Sequence, residues 1–385
     1  MRLPEDELAL LQDSGLLRSL RHITAHQPPI VTINGQDLVN FSSNDYLGLS
    51  CHPVLKEAAQ TAIEKWGTGS GASRLICGSH APYHELEERL AELKKTEAAL
   101  TFANGYTTAV GTLTSLVGSG DTIILDKLSH ASLVDGARLS GATLRVYPHN
   151  NLEKLESLLK STAKPDSRTL IVTESTFSMD GDLCPLSDIV ALKNRYGALL
   201  LLDEAHSIGI LGNTGQGLAE QLGLQHEIDF QMGTLGKAVG SAGGYIATTR
   251  HYADLLINKA RSFIYSTAPP PAQAAASLAS LNLIASAEGS TLRDQLRQNI
   301  RTITDSLALS HREHDTPIIP LILGDNDRAL SASQKLYHEG LLVPAIRYPT
   351  VPRNSARLRI TLSAIHCPDH LEKLMNMVSL LTKSE

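Results

Sequence analysis

The sequence predicts an α/β protein with a large domain, in which a mostly parallel sheet lies between helices, and a smaller α+β C-terminal domain. Strand and helix patterns alternate from about residue 40 to about residue 280, which is typical of a largely parallel sheet. The pattern changes after about residue 285, and 385 residues exceed the roughly 250–300 that one hydrophobic core holds. We therefore expect an N-terminal arm over residues 1–45, a large domain over 46–285 and a small domain over 286–385.

The first elements belong to the arm. A helical pattern covers residues 5–19. It is followed by a hairpin with strands at 30–33 and 38–41, because Asn34-Gly35 between two apolar runs favours a two-residue turn.

In the large domain, helices are predicted where apolar residues recur every three or four positions, and strands where short apolar runs separate those helices. The predicted helices cover residues 84–95, 106–117, 131–139, 152–160, 186–196 and 272–287. The predicted strands cover 98–102, 122–125, 143–147, 169–173, 198–202, a stretch near 230, and 244–247. The small domain is predicted to contain strands at 318–323, 341–346 and 357–362 and helices at 329–338 and 370–381.

Composition narrows the class of protein. The apolar fraction of 42% and charged fraction of 19% are those of an ordinary globular protein. The net charge of −6 without a basic block argues against nucleic-acid binding. Four widely spaced cysteines predict reduced thiols. There is no signal-peptide pattern, and no apolar run approaches the roughly 20 residues of a membrane span. We expect a soluble cytoplasmic protein.

The most informative pair of residues is Asp203 and Lys237. Asp203 ends a buried apolar strand, and Lys237 follows 34 residues later in a Gly-rich turn. Pyridoxal 5'-phosphate (PLP) requires a carboxylate beside its ring nitrogen and a lysine amine that forms a Schiff base. Each residue alone fits an ordinary strand end or a solvated turn, so the interpretation depends on further groups in the right order.

Groups for the phosphate of PLP are present. Gly105 and Tyr106 open a helix directly after a strand, where backbone N–H groups are free to bind an anion. Ser178 and Thr234 follow other strands and can add hydroxyl groups. Taken alone, each of these residues also fits a plain turn.

Two histidines can serve the ring. His130 follows the strand that ends at 125 and offers a flat side chain to one face of the ring. His206, three residues after Asp203, can reach the phenolic oxygen. The alternatives for these histidines are a structural role and a surface position.

Two other classes of site do not fit the sequence. A nucleotide-driven ATPase would need a phosphate loop, G-x-x-x-x-G-K-[ST], but Gln231 and Ala238 break that pattern around Lys237. A metal hydrolase would need a pattern such as H-E-x-x-H, and His311 and His314 lie instead in a charged stretch without it. No metal site is therefore expected.

The order of the motifs resembles the α-oxoamine synthases of the fold-type-I PLP-dependent superfamily, over essentially the whole chain. The motifs are Asn-Gly-Tyr at 104–106, Ser-His-Ala-Ser at 129–132, Glu-Ser-Thr-Phe-Ser-Met-Asp-Gly-Asp at 174–182, Asp-Glu-Ala-His at 203–206, Thr-Leu-Gly-Lys at 234–237 and Phe-Ile-Tyr-Ser-Thr at 263–267. Departures are small and concern packing behind the cofactor: Leu235 stands where an aromatic residue is common, and Ala238-Val239 stands where Gly-Phe or Ala-Phe is frequent.

For the cofactor, the resemblance implies that Lys237 is the Schiff-base lysine and that His130 stacks on the ring. It places Asp203 at the pyridine nitrogen and His206 at the phenolic oxygen, and these four are the implied catalytic residues. The implied phosphate-binding residues are Gly105, Tyr106, Ser178 and Thr234. The family also implies a homodimer with the site at the subunit interface, where Ser266 or Thr267 reaches the partner's phosphate.

For the substrate, the resemblance implies that Arg359 clamps the amino-acid carboxylate and that His130, Thr350 and Arg18 contact the substrate, with Arg21 as an alternative to Arg18. Segments 40–49 and 346–352 most resemble the member that makes a biotin precursor. That member condenses L-alanine with a pimeloyl thioester of coenzyme A or acyl-carrier protein and releases CO2. The alternatives within the family are 2-amino-3-ketobutyrate CoA ligase, which uses glycine and acetyl-CoA, 5-aminolevulinate synthase and serine palmitoyltransferase.

Overall fold

The computed structural model describes residues 3–14, 16–162, 166–307 and 316–382. His311 and His314, the two histidines of the charged stretch, lie outside the described residues. Among the residues that are described, no group of His, Cys, Asp and Glu side chains could hold a metal ion.

The described residues form fourteen helices and fourteen strands, apart from short 3-10 and π turns. The helices are α1 (Pro4–Asp13), α2 (Pro53–Trp66), α3 (Ala81–Lys94), α4 (Gly105–Leu116), α5 (Ala131–Leu139), α6 (Leu152–Thr162), α7 (Leu186–Tyr196), α8 (Leu218–Gln221), α9 (Arg250–Lys259), α10 (Arg261–Ile264), α11 (Pro271–Ile284), α12 (Ala287–Ser306), α13 (Asn326–His338) and α14 (Pro368–Thr382). The strands are β1 (Ile23–Gln27), β2 (Ile30–Ile33), β3 (Gln36–Asn40), β4 (Ala98–Phe102), β5 (Thr122–Asp126), β6 (Thr143–Tyr147), β7 (Thr169–Glu174), β8 (Leu199–Asp203), β9 (Phe230–Thr234), β10 (Gly244–Thr248), β11 (Ile318–Gly324), β12 (Leu341–Leu342), β13 (Ala345–Ile346) and β14 (Ala356–Thr361).

The central sheet has seven strands in the order β4-β10-β9-β8-β7-β5-β6. Its pairs from β9 to β6 are parallel, and β10 alone runs antiparallel to both of its neighbours. The predicted mostly parallel sheet is confirmed. Because the carboxyl ends of parallel strands meet at one edge, β5, β7, β8 and β9 deliver the residues that follow them to the same place.

Both faces of this sheet are covered, as a parallel sheet requires. Along β8, Leu201 packs in one apolar cluster with residues of α4, α5 and α9, whereas Leu200 and Leu202 pack in a second cluster with α6 and α7. The alternation follows from the two-residue period of a strand. The apolar runs that predicted these strands are therefore core residues on both sides.

The N-terminal hairpin is confirmed and is joined to the C-terminal part of the chain. Asn34 and Gly35 both have positive φ, of 52° and 77°, as the tight turn between β2 and β3 requires. Strand β3 also pairs in parallel with β12, through Leu341 beside Val39. The proposed boundaries at 45/46 and 285/286 remain predictions.

Three predicted elements differ from the structure in where they end or break. Helix α1 ends at Asp13 rather than at 19, and no residue of it is buried, so no packing extends it. The predicted strand over 341–346 is two short strands, because Pro344 between them has no N–H to donate. The helix predicted over 272–287 ends at Ile284, and α12 starts at Ala287.

No helix among the described residues is long and apolar enough to cross a membrane. The cytoplasmic location expected from the sequence remains a prediction.

His149 joins two loops near the carboxyl edge of the sheet. Its Nδ1 lies 3.0 Å from Oδ1 of Asp126 at the end of β5, and its Nε2 lies 2.7 Å from Oδ2 of Asp182. Its ring meets Phe177 edge-on, with centroids 4.4 Å apart. Burial alone would lower the pKa of His149, but the hydrogen bonds to the two carboxylates outweigh burial and raise that pKa to about 10.

This arrangement predicts a stability that depends on pH. Because the pKa of His149 is raised to about 10 in the folded chain and is about 6.5 in an unfolded one, its contribution is fully present below about pH 6.5 and is lost as the pH rises towards about 10. We expect the free energy of unfolding of His149→Gln to fall below that of the wild type at pH 6, and the gap to close by pH 10. Urea unfolding at several pH values measures this. The exposed His26→Gln is the control, and a gap that stays constant with pH would contradict the assignment.

Candidate active site

A cavity of about 190 Å³ opens at the carboxyl edge of the central sheet. Its walls come from the ends of β7, β8 and β9 and from the beginnings of α4 and α5. The residues that line it are Gly105, Tyr106, His130, Ser132, Glu174, Asp203, Ala205, His206, Met232, Thr234 and Lys237. Seven of the predicted site residues are therefore brought together as expected from the strand order.

Lys237 lies on the turn between β9 and β10. The N–H of Gly240 donates to the carbonyl of Lys237 at 2.8 Å and closes the turn. Gly240 has a φ of 68°, and a Cβ at that position would lie 2.6 Å from the carbonyl carbon of Leu49. The turn therefore needs glycine both for its conformation and for its close packing on the segment at 49–50.

The amine of Lys237 is held in a partly apolar environment. Burial lowers the pKa of Lys237 to about 8, although the carboxylates of Asp203 and Glu174 act in the opposite direction. Behind the lysine, Leu235, Ala238 and Val239 are all buried. Ala238 and Val239, which follow the lysine and are smaller than the Phe-containing pairs frequent there in the family, are thus packed in the core.

His206 is the direct partner of the lysine. Its Nε2 lies 2.7 Å from Nζ of Lys237, and its Nδ1 lies 2.6 Å from the hydroxyl of Tyr46. Burial, reinforced by the charges of Lys237 and Arg359, lowers the pKa of His206 well below 6.5. The imidazole is therefore neutral at neutral pH.

Two carboxylates lie side by side at the bottom of the cavity. Glu174 ends β7 and Asp203 ends β8, and the two are register partners in the parallel ladder. Both are almost completely buried. Burial and the charge of Asp203 raise the pKa of Glu174 to about 8, and burial likewise raises the pKa of Asp203 against the opposing effect of Lys237. Such a pair favours a cation in the cavity.

His130 caps helix α5 at the mouth of the cavity. Its Nδ1 lies 2.8 Å from the hydroxyl of Ser132 and accepts from the backbone N–H of Ser132 at 3.3 Å. Its own backbone N–H donates to Glu174. Partial burial lowers the pKa of His130. Because Nδ1 accepts from the N–H of Ser132, the ring proton is on Nε2, and Ser132 fixes the orientation of the ring.

The start of α4 forms the opposite wall. Asn104 caps the helix by accepting from the N–H of Thr107, which leaves the N–H groups of Gly105 and Tyr106 directed towards the end of the helix. Thr234 faces them, since a Cβ on Gly105 would lie 3.8 Å from the Thr234 hydroxyl oxygen. The hydroxyl of Tyr106 donates to Asp135 at 2.9 Å, and its ring is about half exposed.

Arg359 lies on β14 and is buried. Its Nε donates to the carbonyl of Ser178 at 2.6 Å and its Nη1 donates to the hydroxyl of Thr361 at 2.9 Å. Both terminal nitrogens lie 3.2 Å from Oδ1 of Asn44. Among the described residues no carboxylate pairs with Arg359. Its positively charged guanidinium is therefore hydrogen-bonded only to neutral groups.

Other predicted residues are not brought to the cavity wall. Ser178 contacts Arg359 through its carbonyl. Arg18 and Thr350 are exposed. Arg21 lines a separate cavity of about 250 Å³ with Asn34 and Tyr337. Roles for these residues in binding remain predictions.

Sequence reasoning missed four neighbours of the site: Glu174, Ser132, Tyr46 and Asn44. Glu174 and Ser132 were inside quoted motifs, and the position of Glu174 at the end of β7 was an available signal. Tyr46 and Asn44 precede the large sheet by more than 50 residues, and no local pattern indicates that they reach His206 and Arg359.

The residues present fit PLP. The cavity offers a lysine amine at one side, a buried carboxylate pair suited to a protonated ring nitrogen, and the N-terminus of a twelve-residue helix suited to a phosphate.

Comparison with known proteins decides the family. The model of the family described as aminotransferase class I and II matches residues 36–378. The chain belongs to this family. Family membership confirms the prediction of a PLP-dependent enzyme and of the fold-type-I architecture.

Named relatives indicate which kind of PLP-dependent enzyme this is. The chain is 47% identical over 380 residues to 8-amino-7-oxononanoate synthase of Geobacter sulfurreducens, covering 98% of this chain and 97% of that one. It is 45% identical to the enzyme of the same name from Maricaulis maris, covering 97% and 94%. The fold is also that of serine palmitoyltransferase from S. paucimobilis, solved with bound PLP and myriocin, with a TM-score of 0.92, 30% identity and coverage of 98% and 96%. Together these matches support a PLP-dependent, acyl-transferring enzyme of biotin biosynthesis.

The turn that carries Lys237 yields a stability prediction. In Gly240→Ala the new methyl group meets the backbone at Leu49, whereas Gly223, with the same φ of 68°, has open space around it. We expect the free energy of unfolding of Gly223→Ala to fall by about 1 kcal/mol, because alanine is strained in the left-handed conformation. In Gly240→Ala we expect it to fall by at least about 1 kcal/mol more, because of the clash. Chemical denaturation of both variants measures this. Equal losses would show that the turn is not packed as described.

Proposed function

We propose that the protein condenses L-alanine with a pimeloyl thioester and releases 8-amino-7-oxononanoate, CO2 and the free thiol. The observation that carries the proposal is the cavity in which Lys237, His206 and Asp203 meet, taken with the names of relatives that are 42–47% identical over nearly the whole chain. The donor is a thioester of coenzyme A or of acyl-carrier protein.

The cavity residues hold the cofactor in this proposal. Asp203 keeps the ring nitrogen protonated, and the start of α4 at Gly105 and Tyr106 binds the phosphate together with the hydroxyl of Thr234. His206 faces the phenolic oxygen, and Ser178, which does not line the cavity, is proposed as a further hydroxyl contact. When bound, PLP supplies an electron sink that makes the Cα hydrogen of an amino acid acidic.

Lys237 has two tasks. It attaches the cofactor covalently, and after the amino acid displaces it, its free amine removes the Cα proton. A pKa of about 8 suits both tasks, because roughly a tenth of such an amine is unprotonated at pH 7. An ordinary lysine, with a pKa of about 10.4, would be almost entirely protonated.

His130 covers one face of the ring and contacts the substrate. The orientation of its ring is fixed by Ser132, so the proton on Nε2 is available to the thioester oxygen as charge develops there. Condensation forms a bond between Cα of alanine and the carbonyl carbon of the thioester and breaks the bond from that carbon to sulfur. The sulfur leaves as a thiolate, which takes its proton from solvent.

Arg359 clamps the carboxylate of alanine, and Arg18 and Thr350 contact the acyl donor. A buried guanidinium with neutral partners suits a carboxylate, which it can bind through two parallel hydrogen bonds. Loss of that carboxylate as CO2 completes the reaction, and Lys237 returns the proton to carbon.

The proposal is tested by measuring thiol release from pimeloyl-CoA with L-alanine, glycine or L-serine as the amino acid. We expect L-alanine to be preferred. Preference for glycine, above all with acetyl-CoA, would favour the alternative ligase activity. The same assay with pimeloyl-acyl-carrier protein compares the two donors.

Two variants separate the proposed roles in the same assay. Lys237→Ala should bind PLP without the covalent link, lose its visible absorbance and lose turnover by about 10³-fold or more, because attachment and proton transfer both fail. Arg359→Lys should mainly raise KM for alanine, because an ammonium group cannot bind a carboxylate through two parallel hydrogen bonds as a guanidinium does. Arg357→Lys, a buried neighbour that pairs with Asp180 at 2.6 Å, is the control. A colourless wild-type protein that takes up no PLP would refute the proposal.

We propose further that two copies of the chain form a homodimer through the face beside the phosphate end. Leu75, Ile76 and Tyr265 expose 50%, 78% and 71% of their surface there, and the backbone bridge from Ser73 to Thr267 brings them together. Apolar side chains clustered in this way indicate an interface. Ser266 or Thr267 would then reach the partner's phosphate.

The dimer is tested by sedimentation velocity. Ile76→Asp should shift the protein from dimer towards monomer, because a charge would be buried without a partner. Leu380→Asp, on the outer side of α14 and exposed by 61%, should leave the dimer intact. A monomeric wild type, or a dimeric Ile76→Asp, would refute this interface.

A further inference from the structure

A continuous chain of hydrogen bonds joins Lys237 to Arg359. Lys237 lies 2.7 Å from Nε2 of His206, and Nδ1 of the same ring lies 2.6 Å from the hydroxyl of Tyr46. That hydroxyl lies 3.1 Å from Oδ1 of Asn44, and both terminal nitrogens of Arg359 lie 3.2 Å from the same oxygen. We refer to these five residues as the relay.

Chemistry fixes the direction of every bond in the relay. A guanidinium only donates and an amide oxygen only accepts, so Oδ1 of Asn44 accepts from Arg359 and also from the hydroxyl of Tyr46. The oxygen of Tyr46 must then accept from Nδ1–H of His206. A neutral imidazole with its proton on Nδ1 presents a lone pair on Nε2, and this lone pair accepts from the amine of Lys237.

The protonation states agree with these directions. Burial lowers the pKa of His206 well below 6.5, so the ring carries one proton. Burial raises the pKa of Tyr46 to about 12, against the opposing effect of Arg359, so the hydroxyl keeps its proton. Tyr46 is fully buried and its ring is packed in the core. Its hydroxyl therefore has few other groups with which it could form a hydrogen bond.

We propose that Tyr46 is a positioning residue for the reaction: it fixes the tautomer of His206 with Nε2 as an acceptor and thereby strengthens the bond to the Lys237 amine. The proposal deepens the function proposed above and rests on Lys237 as the lysine that binds the cofactor. Tyr46 itself does not touch the cavity, since it is absent from the lining residues.

The effect on Lys237 has a definite sign. Nε2 is a better acceptor when Nδ1–H donates to Tyr46, and a better acceptor favours the charged amine. Loss of the Tyr46 hydroxyl should therefore lower the pKa of Lys237 below about 8. The other charged or titratable groups that face this amine are Asp203, Glu174, Arg359 and His130, and none of them changes in Tyr46→Phe.

The first experiment uses the cofactor-free protein and does not depend on the proposed function. Side-chain nitrogen NMR of histidine distinguishes Nδ1–H from Nε2–H, and the signal of His206 is the one missing from His206→Gln. We expect the Nδ1–H tautomer in the wild type and a shift towards Nε2–H in Tyr46→Phe. Asn44→Leu, which removes the acceptor of the Tyr46 hydroxyl, should cause the same shift without altering the tyrosine.

The second experiment measures how fast PLP is captured by Lys237 as a function of pH, followed by the visible absorbance of the bound cofactor. The apparent pKa of capture should fall by roughly 0.5–1 unit in Tyr46→Phe, the effect of one lost hydrogen bond. Tyr147→Phe removes an equally buried hydroxyl that lies outside the relay, and its apparent pKa should equal that of the wild type.

The outcomes are distinguishable. If the wild type takes up no PLP, the proposed function fails, while the NMR result still decides the tautomer. If PLP is captured but Tyr46→Phe and Tyr147→Phe behave alike, the relay is refuted. An Nε2–H tautomer of His206 in the wild type would also refute it. A folded Tyr46→Phe with a shifted tautomer and a lowered apparent pKa would establish Tyr46 as the positioning residue.

Discussion

The site depends on a balance of charge at the ends of β7, β8 and β9. Two buried carboxylates, Glu174 and Asp203, lie beside each other in the ladder, and the amine of Lys237 lies across the cavity from them. The next residue, Glu204, is buried too, but it is neutralised by Lys94, whose Nζ lies 2.5 Å from Oε2 of Glu204. Glu174 accepts from the backbone N–H of His130 and Asp203 accepts from that of Ala205. Both side chains line the cavity, where they favour a protonated ring nitrogen.

Much of this arrangement could be predicted from sequence because it follows from strand order. In a parallel sheet every strand delivers its last residue to one edge, so Asp203 after a run of leucines, His130 after β5 and Lys237 after β9 had to converge. Element positions were also well predicted where an apolar run was bounded by glycine or a cap, as in β4 and α7. The resemblance of the motifs then supplied roles that no pattern of apolar residues contains.

The rest depends on contacts between distant parts of the chain. Tyr46 contacts His206, which is 160 residues away in the sequence, and Asn44 contacts Arg359, which is 315 residues away. Contacts between residues so far apart leave no periodic pattern in the sequence. The shifted pKa values of Glu174 and Lys237 arise from burial, which a sequence indicates only on average. Likewise the early end of α1 reflects the absence of packing on that helix and not its local propensity.

The parallel pairing of β3 with β12 has a consequence for synthesis on the ribosome. Val39 cannot find Leu341 until about 300 further residues have been made, roughly 15–60 s at ordinary elongation rates. The neighbouring segment is anchored equally late, since the N–H of Ala364 donates to the carbonyl of Tyr46 and Arg359 bonds to Asn44. The large sheet can thus form early, but the lysine gains its complete surroundings only when nearly the whole polypeptide has emerged. A truncated nascent chain would hold the carboxyl edge of the sheet without Arg359 and without the contacts made by Ala364 and Leu341.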